Sequence, residues 1–446
     1  MKKKIVNTIT LLWLIISCDP LDVEPTDLIP DEDAITDLKG LNAAVVGVYD
    51  GLQRTDISQH YMTFGDLSAD NMEAVGSRIA YRQVADNRIN PNNIRMEGIW
   101  NAHYDVINRV NTVLDNIDNV EGVSQEQINR KRGEVLFIRA LCHFNLVRVF
   151  GPIPIKTSAT SGITPEDLNI PRSSVTDVYN QIIEDLDNAH AFLESTGKGV
   201  SSLVSDGAVL SLLARVYLHQ GDFEKVEEFT GEVMNLGYEL VPGEEYELIF
   251  DESSENDEII FQIDYSDDDV NSLADYYLPS ARFEVGLTEE AYNLFSADDF
   301  RAEIAAPAGS SDLFCDKYTD IAIDSDNSIV LRYTDILLMR AEALNELAYV
   351  EDGEAFNLLN LVRLRAGIPA LNSNDLVNQD QFRQAIATER RKEFLGEGHR
   401  WHDLKRTGRA LEVLTFLESE DQLLYPIPQS EIDTNESEQM TQNDGY

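Results

Sequence analysis

The stretch Glu389 to Gly408, ERRKEFLGEGHRWHDLKRTG, gathers acids, bases and two histidines at spacings where side chains on one helix face meet. His399-x-x-His402 has the spacing of a metal pair. A zinc hydrolase needs a third ligand and the glutamate base of an H-E-x-x-H frame, and neither stands here, so no metal is expected. Glu389, Arg390, Glu393, Glu397, Arg400, Asp403 and Arg406 alternate in sign, mostly at intervals of three and four. That pattern suits an ion-pair lattice clamping a C-terminal helix better than it suits catalysis or ligand contact. Asp324-x-Asp326-x-Ser328 opens like a calcium loop, but Ile329 occupies the place of the turn glycine. A glycosidase needs two carboxylates at a defined separation, yet among 80 acids such a pair can be drawn anywhere and carries no weight. No phosphate-binding or nucleophile-elbow motif occurs, and Thr196-Gly197-Lys198-Gly199 lacks the upstream glycine and downstream hydroxyl of a P-loop. The expectation is a protein without catalytic residues, cofactor or metal.

One residue invites covalent modification. Lys2, Lys3 and Lys4 precede an apolar run from Ile5 to Ile16, which is the layout of a secretory leader and too short for a confident membrane span. Ile15-Ile16-Ser17-Cys18 follows, and it resembles a bacterial lipoprotein lipobox, in which the cysteine is acylated and becomes the first mature residue. Residues 1–17 are therefore read as a leader, Cys18 as the lipidated residue, and the proline-punctuated, acid-rich stretch 18–37 as an extended tether. A net charge of −45 excludes most nucleic-acid binding, since a phosphate backbone calls for a basic footprint. With 43% hydrophobic residues the body can nonetheless bury a large core. Cys142, in an apolar helix, reads as a buried small hydrophobe, and Cys315 falls in a loop; whether they are bridged is open from the sequence.

Helices must position these residues. Leu41, Val45, Val48 and Leu52 mark an amphipathic helix over Leu38 to Leu52. Similar stripes run through Trp100 to Ile117, Val135 to Phe150 and Val178 to Leu193, with Trp100 a core anchor rather than a sugar platform. Asp206 to Gly237 reads as a helical hairpin turning at Gln220-Gly221-Asp222, and Leu331 to Gly367 as a second one turning near Glu351 to Gly353. Both look like tetratricopeptide-type pairs, with Ala214, Ala341 and Ala343 permitting close approach, and one such pair cannot bury its own face, so several must stack. Between them residues 238–326 hold polar turns and the β-like run Ile259 to Ile263, and Thr55 to Asn93 is also read as irregular; loops of this kind on a rigid scaffold usually carry recognition.

The C-terminal half resembles the SusD/RagB family of outer-membrane nutrient-binding lipoproteins from Bacteroidetes. The pieces come in family order: Val330-Leu331-Arg332-Tyr333, then Leu337 to Ala343, Asn360 to Gly367, the Glu389 to Gly408 motif, Tyr425-Pro426-Ile427-Pro428, and Gln442-Asn443-x-Gly445-Tyr446. Upstream, Phe137 to Pro154 matches as well, and with the Trp100 helix and the lipobox the likeness spans essentially the whole chain; Asn435-Glu436, where the family usually has Asn-Pro, departs from it. The resemblance implies a mostly α fold with a tetratricopeptide-like helical-pair scaffold and irregular insertions, divided as 38–240 and 241–446. It implies a cell-surface lipoprotein of the outer membrane that captures an oligosaccharide and sits as a lid on a SusC-like TonB-dependent transporter. A peptide-binding uptake lipoprotein is the alternative within the family; a surface glycoside hydrolase and a pure assembly scaffold are alternatives from other classes. Aromatic faces stacking on sugar C–H surfaces are the implied device. On the irregular segments that points to Tyr61, Tyr81, Tyr276 and Tyr277, with Arg78 nearby, against the competing expectation that the same tyrosines pack loops onto the scaffold.

Overall fold

The computed structural model describes residues 35–160, 162, 164–251, 256–266, 268–305, 312–323 and 325–446. The leader, Cys18, most of the tether and Asp324 lie outside the described residues. Ile35 is already buried, and Glu121 donates its backbone N–H to the Thr36 carbonyl at 3.0 Å, so the chain docks on the body slightly before Asp37.

Helix α1 (Leu38–Leu52) starts where the Asp37 side chain accepts the Gly40 N–H at 2.8 Å, and it buries the stripe Leu41, Val45, Val48 and Leu52. The next segment departs from the irregular reading of Thr55 to Asn93. It is a π-helical turn over Asp56–Tyr61 running into α2 (Met62–Leu67), then β1 (Met72–Ala74) and α3 (Ile79–Ala85). These elements are short and mostly buried on several sides, so no amphipathic period announces them.

Helix α4 (Ile94–Asn116) and α5 (Gln125–Phe150) form the next antiparallel layer, with α5 opened by a Ser124/Gln127 capping box. From Val135 to Val147 every residue of α5 is buried, which explains its weak amphipathic signal: the helix is central, with α4 and α6 (Val175–Leu193) against it. Helix α7 (Asp206–Gln220) turns at Gly221, whose φ of 76° is a left-handed conformation that glycine adopts without penalty, into α8 (Phe223–Met234). This is the first expected hairpin. Strand β2 (Ile259–Ile263) matches the β-like run, and the short α9 (Leu273–Tyr277) leads to β3 (Val285–Leu287). The second hairpin needs a correction: Leu331 and Arg332 belong to β4 (Ser328–Arg332), and α10 (Tyr333–Leu347) begins directly after it, followed by α11 (Glu354–Arg365). Helix α8 packs on α10 as well as on α7, so the two hairpins stack into one succession.

The strands pair in two antiparallel ribbons, β1 with β3 (Met72 opposite Leu287) and β2 with β4 (Ile259 opposite Arg332). Helices α12 (Gln379–Glu393) and α13 (Arg400–Arg406) close the molecule, and the main core runs unbroken across residue 240. Trp100 is 2% exposed and serves as a core anchor. Cys142 and Cys315 are both buried and free. Among the described residues no helix is long and apolar enough to cross a membrane.

Candidate functional site

The π-helical turn at Asp56–Tyr61 sets two neighbouring side chains to opposite sides. His60 packs among Phe64, Tyr81 and Tyr276, with ring centroids 5.9–6.0 Å away. Tyr61 instead meets His103 and His402.

On the His60 side, Tyr81 from α3 and Tyr276 from α9 stack at 5.6 Å with an interplanar angle of 16°. The structure thus brings Arg78, Tyr81 and Tyr276 together, but not as bare sugar platforms. Tyr81 is 1% exposed and Tyr276 4%, while Tyr277 is buried against Tyr318 and hydrogen-bonds Thr63 Oγ1 at 3.1 Å. The expectation of open tyrosine faces at these positions is corrected: each ring is already covered by another, since a fully wet aromatic face forgoes the largest part of its burial free energy. Burial also pushes the Tyr81 and Tyr277 hydroxyls well above their ordinary pKa, so both stay neutral donors.

What the buried stack carries is a ledge. The Arg78 guanidinium lies 5.5 Å from the Tyr276 ring centroid and bonds Glu284 Oε1 at 2.8 Å; the Arg282 guanidinium lies 5.7 Å from the same ring and pairs with Asp275 at 3.2 Å. Next to Arg282 in the chain, Phe283 is only partly buried and holds φ at +45°, a left-handed conformation that costs a non-glycine residue of order 1 kcal/mol or more. Two hydrogen bonds fix it there, from Phe283 N–H to the Asp275 carbonyl and from Glu284 N–H to the Tyr276 carbonyl. Val75 and the Phe283 ring both border Gly286, and Ile79, next to Arg78 in the chain, is 73% exposed. The arrangement offers guanidinium donors and apolar surface on a rigid base. Arg282, Glu284 and Ile79 were not anticipated from the sequence; the Arg-Phe pair two residues before β3 was the available signal.

The alternating acids and bases of the Glu389 to Gly408 motif form the expected lattice. Arg332, at the end of β4, donates to Glu393 Oε1 (2.7 Å), Glu397 Oε2 (2.8 Å) and Glu258 Oε1 (3.0 Å). Arg301 reaches Glu389 (2.7 Å), Glu393 (2.9 Å) and Asp299 (2.8 Å), Arg365 bridges Glu393 and Glu258, and Lys317 holds Glu397 at 2.7 Å. Burial alone would raise the Glu393 carboxyl, but Arg365, Arg332, Arg301 and Lys317 hold it well below the usual carboxylate range. Further along, Arg390 bridges Asp335 and Asp403, Arg406 takes Glu342, and Arg400 takes Asp70 beside α2. Every acid of the motif has a cation in contact. Glu258, Asp299, Arg301 and Lys317 lie far away in sequence, and no local spacing reveals them as partners.

His399 and His402 do not converge. His399 stacks on Phe394 at 4.4 Å while His402 faces Tyr61, and no cluster among the described residues has a metal-holding geometry. Gly398, with φ of 76°, and Gly65 touch backbone to backbone there: a Cβ on Gly65 would sit 2.1 Å from the Gly398 carbonyl oxygen.

Comparison with known proteins agrees with this architecture. A family model described as starch-binding and associating with the outer membrane matches residues 19–218, and one described as the SusD family matches residues 314–446. SusD-like protein P38 of Formosa agariphila is 27% identical over 93% of each chain, and SusD-like protein P2 of the same organism is 26% identical over 100% of each. Among solved structures, a laminarin binding SusD-like protein is 26% identical with a TM-score of 0.79, covering 92% of this chain and 100% of that one. Surface glycan-binding protein A from Bacteroides thetaiotaomicron, solved in complex with laminarihexaose, shares the fold at 21% identity and a TM-score of 0.77, covering 92% of this chain and 100% of that one.

Proposed function

The chain belongs to the SusD/RagB family, and from that premise we propose that it is a cell-surface lipoprotein that binds an oligosaccharide and delivers it, as a lid, to a SusC-like TonB-dependent transporter. Its relatives are SusD-like binding proteins rather than enzymes, and a carbohydrate-binding role is what they support.

The observation that carries the reading is the pair of guanidiniums, Arg78 and Arg282, over the buried Tyr276 ring, with the partly buried Phe283 next to Arg282 in the chain. Sugars present C–H faces and hydroxyls in alternation. A rigid aromatic edge and apolar neighbours take the former, and guanidinium forks take the latter. Tyr81, Tyr276 and Tyr277 then act beneath the surface: they set the height and rigidity of the ledge, and Arg78 and Phe283 make the contact. Tyr61, on the opposite side of the π-helical turn, has no part in it. Acylation of Cys18 anchors the body, and the stretch 18–37 gives it reach from the outer membrane. The helical pairs of 38–240 and 241–446 form the scaffold that the transporter carries.

The test is calorimetric titration of the full chain with laminarin- and starch-derived oligosaccharides and with a mixed peptide pool. Saturable sugar binding without new reducing ends, weakened in Phe283→Ala, is the expected result. Peptide binding alone moves the protein to the peptide-uptake branch, release of reducing ends makes it a hydrolase, and no ligand at all leaves an assembly role. Delivery is checked by co-purification of a TonB-dependent barrel, and anchoring by release of the Cys18→Ala protein from the membrane fraction.

A further inference from the structure

Helices α5, α7 and α13 and the π-helical turn enclose a cavity lined in part by Tyr61, Asn145, Arg148, His219 and His402. Arg148, in the last turn of α5, lies with its guanidinium 4.1 Å from the Phe144 ring centroid and 5.8 Å from that of Tyr61. Its Nη2 donates to Asn145 Oδ1 at 2.8 Å, its Nε is buried without an acceptor, and no carboxylate among the described residues pairs with it. Lys405 on α13 donates to the Arg148 carbonyl at 2.6 Å and likewise has no acidic partner among the described residues. His402 is 5% exposed; its Nε2 lies 3.4 Å from the Tyr61 hydroxyl, and its Nδ1 is buried without a partner. His219 stands edge-on to it at 6.4 Å.

The acids at this wall are already committed. Asp403 is shared by Arg390 and Arg406, and Glu397 by Arg332 and Lys317. The cavity therefore holds surplus positive charge inside a chain whose net charge is −45. Arg148 is half-buried without a counter-charge, which is costly, and burial together with its field pushes Lys405 down to about 7 and His402 well below its ordinary value.

We propose that this cavity binds one small oxyanion, a carboxylate or an inorganic sulfate or phosphate, seated against Arg148 Nε with His402 Nδ1 as a further donor, while the Tyr61 hydroxyl, which donates to the Asn145 carbonyl at 3.3 Å, holds the wall. The unpartnered Nε–H of the guanidinium offers a charge-assisted donor to one oxygen of such an anion, and the uncommitted His402 nitrogen gives a second direction of approach. The site is separate from the sugar ledge, because His60 and Tyr61 point to opposite sides of one turn.

The experiment titrates the full chain with sodium sulfate, acetate and glucuronate at constant ionic strength over a chloride background, reading one-site heats and the shift in thermal midpoint. Sulfate binding points to an inorganic oxyanion, and glucuronate binding to the acid group of a sugar; either supports the site. Arg148→Gln weakens the bound anion by about tenfold or more, as expected for removing a charge-assisted hydrogen bond. If that variant does not fold, His402→Gln serves in its place, with a smaller loss. Absence of saturable binding by all three anions overturns the proposal, and so does wild-type affinity in folded variants of Arg148 or of His402.

Discussion

Arg332 Nη1 and Glu393 Oε1 meet 2.7 Å apart with both side chains at 2% exposure or less, and Arg332 Nη2 also takes the Glu393 backbone carbonyl at 2.9 Å. One guanidinium thereby ties the end of β4 to the last turn of α12 and, through Glu397, to the glycine turn that follows. The lattice is not a store of surplus stability, because burying ions costs nearly as much as pairing them returns. What it supplies is sensitivity to the loss of one member.

Arg332→Met leaves Glu393, Glu397 and Glu258 short of a partner in a dry interior. A loss of about 3–5 kcal/mol in unfolding free energy is expected, measured by guanidinium chloride denaturation. A loss below about 1 kcal/mol would place the lattice in the class of exposed ion pairs.

His143 sits in the middle of α5, fully buried with both ring nitrogens unpartnered, and burial pushes it down to about 3. Its folded pKa is below the unfolded value near 6.5, so the unfolded chain binds the extra proton in acid. Its contribution to stability is intact above about pH 6.5 and is lost as pH falls toward 3, at up to about 1.4 kcal/mol per pH unit. Unfolding free energies of His143→Leu at pH 7, 6 and 5 should show a shallower acid decline than wild type. An unchanged slope would mean that the buried imidazole takes up its proton as readily as in the unfolded chain.

Tyr277→Ala and Phe283→Ala separate support from contact. Tyr277 is core, so its truncation costs about 3 kcal/mol of stability, with sugar affinity following only as far as the ledge shifts. Phe283→Ala instead relieves little packing and should weaken oligosaccharide binding by about tenfold at near-wild-type stability. Equal affinity in the folded Phe283 variant moves the ligand away from the ledge.

Cys142 and Cys315 should be silent to a thiol reagent in the native state and both react on denaturation. Both are buried, and burial pushes the Cys315 thiol up to about 12. Labelling of either at neutral pH without denaturant would indicate local opening of its segment.

Legibility in the sequence followed the physics of each element. The stripe of α1 has one buried face, and its limits were readable as Leu38 to Leu52. Helix α5 was recognised from Val135, ten residues late, because Gln125 to Glu134 is almost wholly polar and is set by a capping box rather than by a stripe. Leu331 and Arg332 were drawn into a helix because an apolar pair beside a helical run carries no period of its own. Within the motif, alternating charge foretold the lattice, while its partners Glu258, Arg301 and Lys317 arrive from loops and strand ends that only the fold brings in. At the ledge the residue types were right and their exposure was not: Tyr81 and Tyr276 were read as faces for a ligand and turned out to be faces for each other.

The ribbon of β1 and β3 joins segments made early and late in synthesis. Until Val285 to Leu287 has left the ribosome, Met72 to Ala74 has nothing to pair with, and the entropy of closing so long a loop is met in one late step. The nascent chain therefore spends more than half of its growth without this pairing.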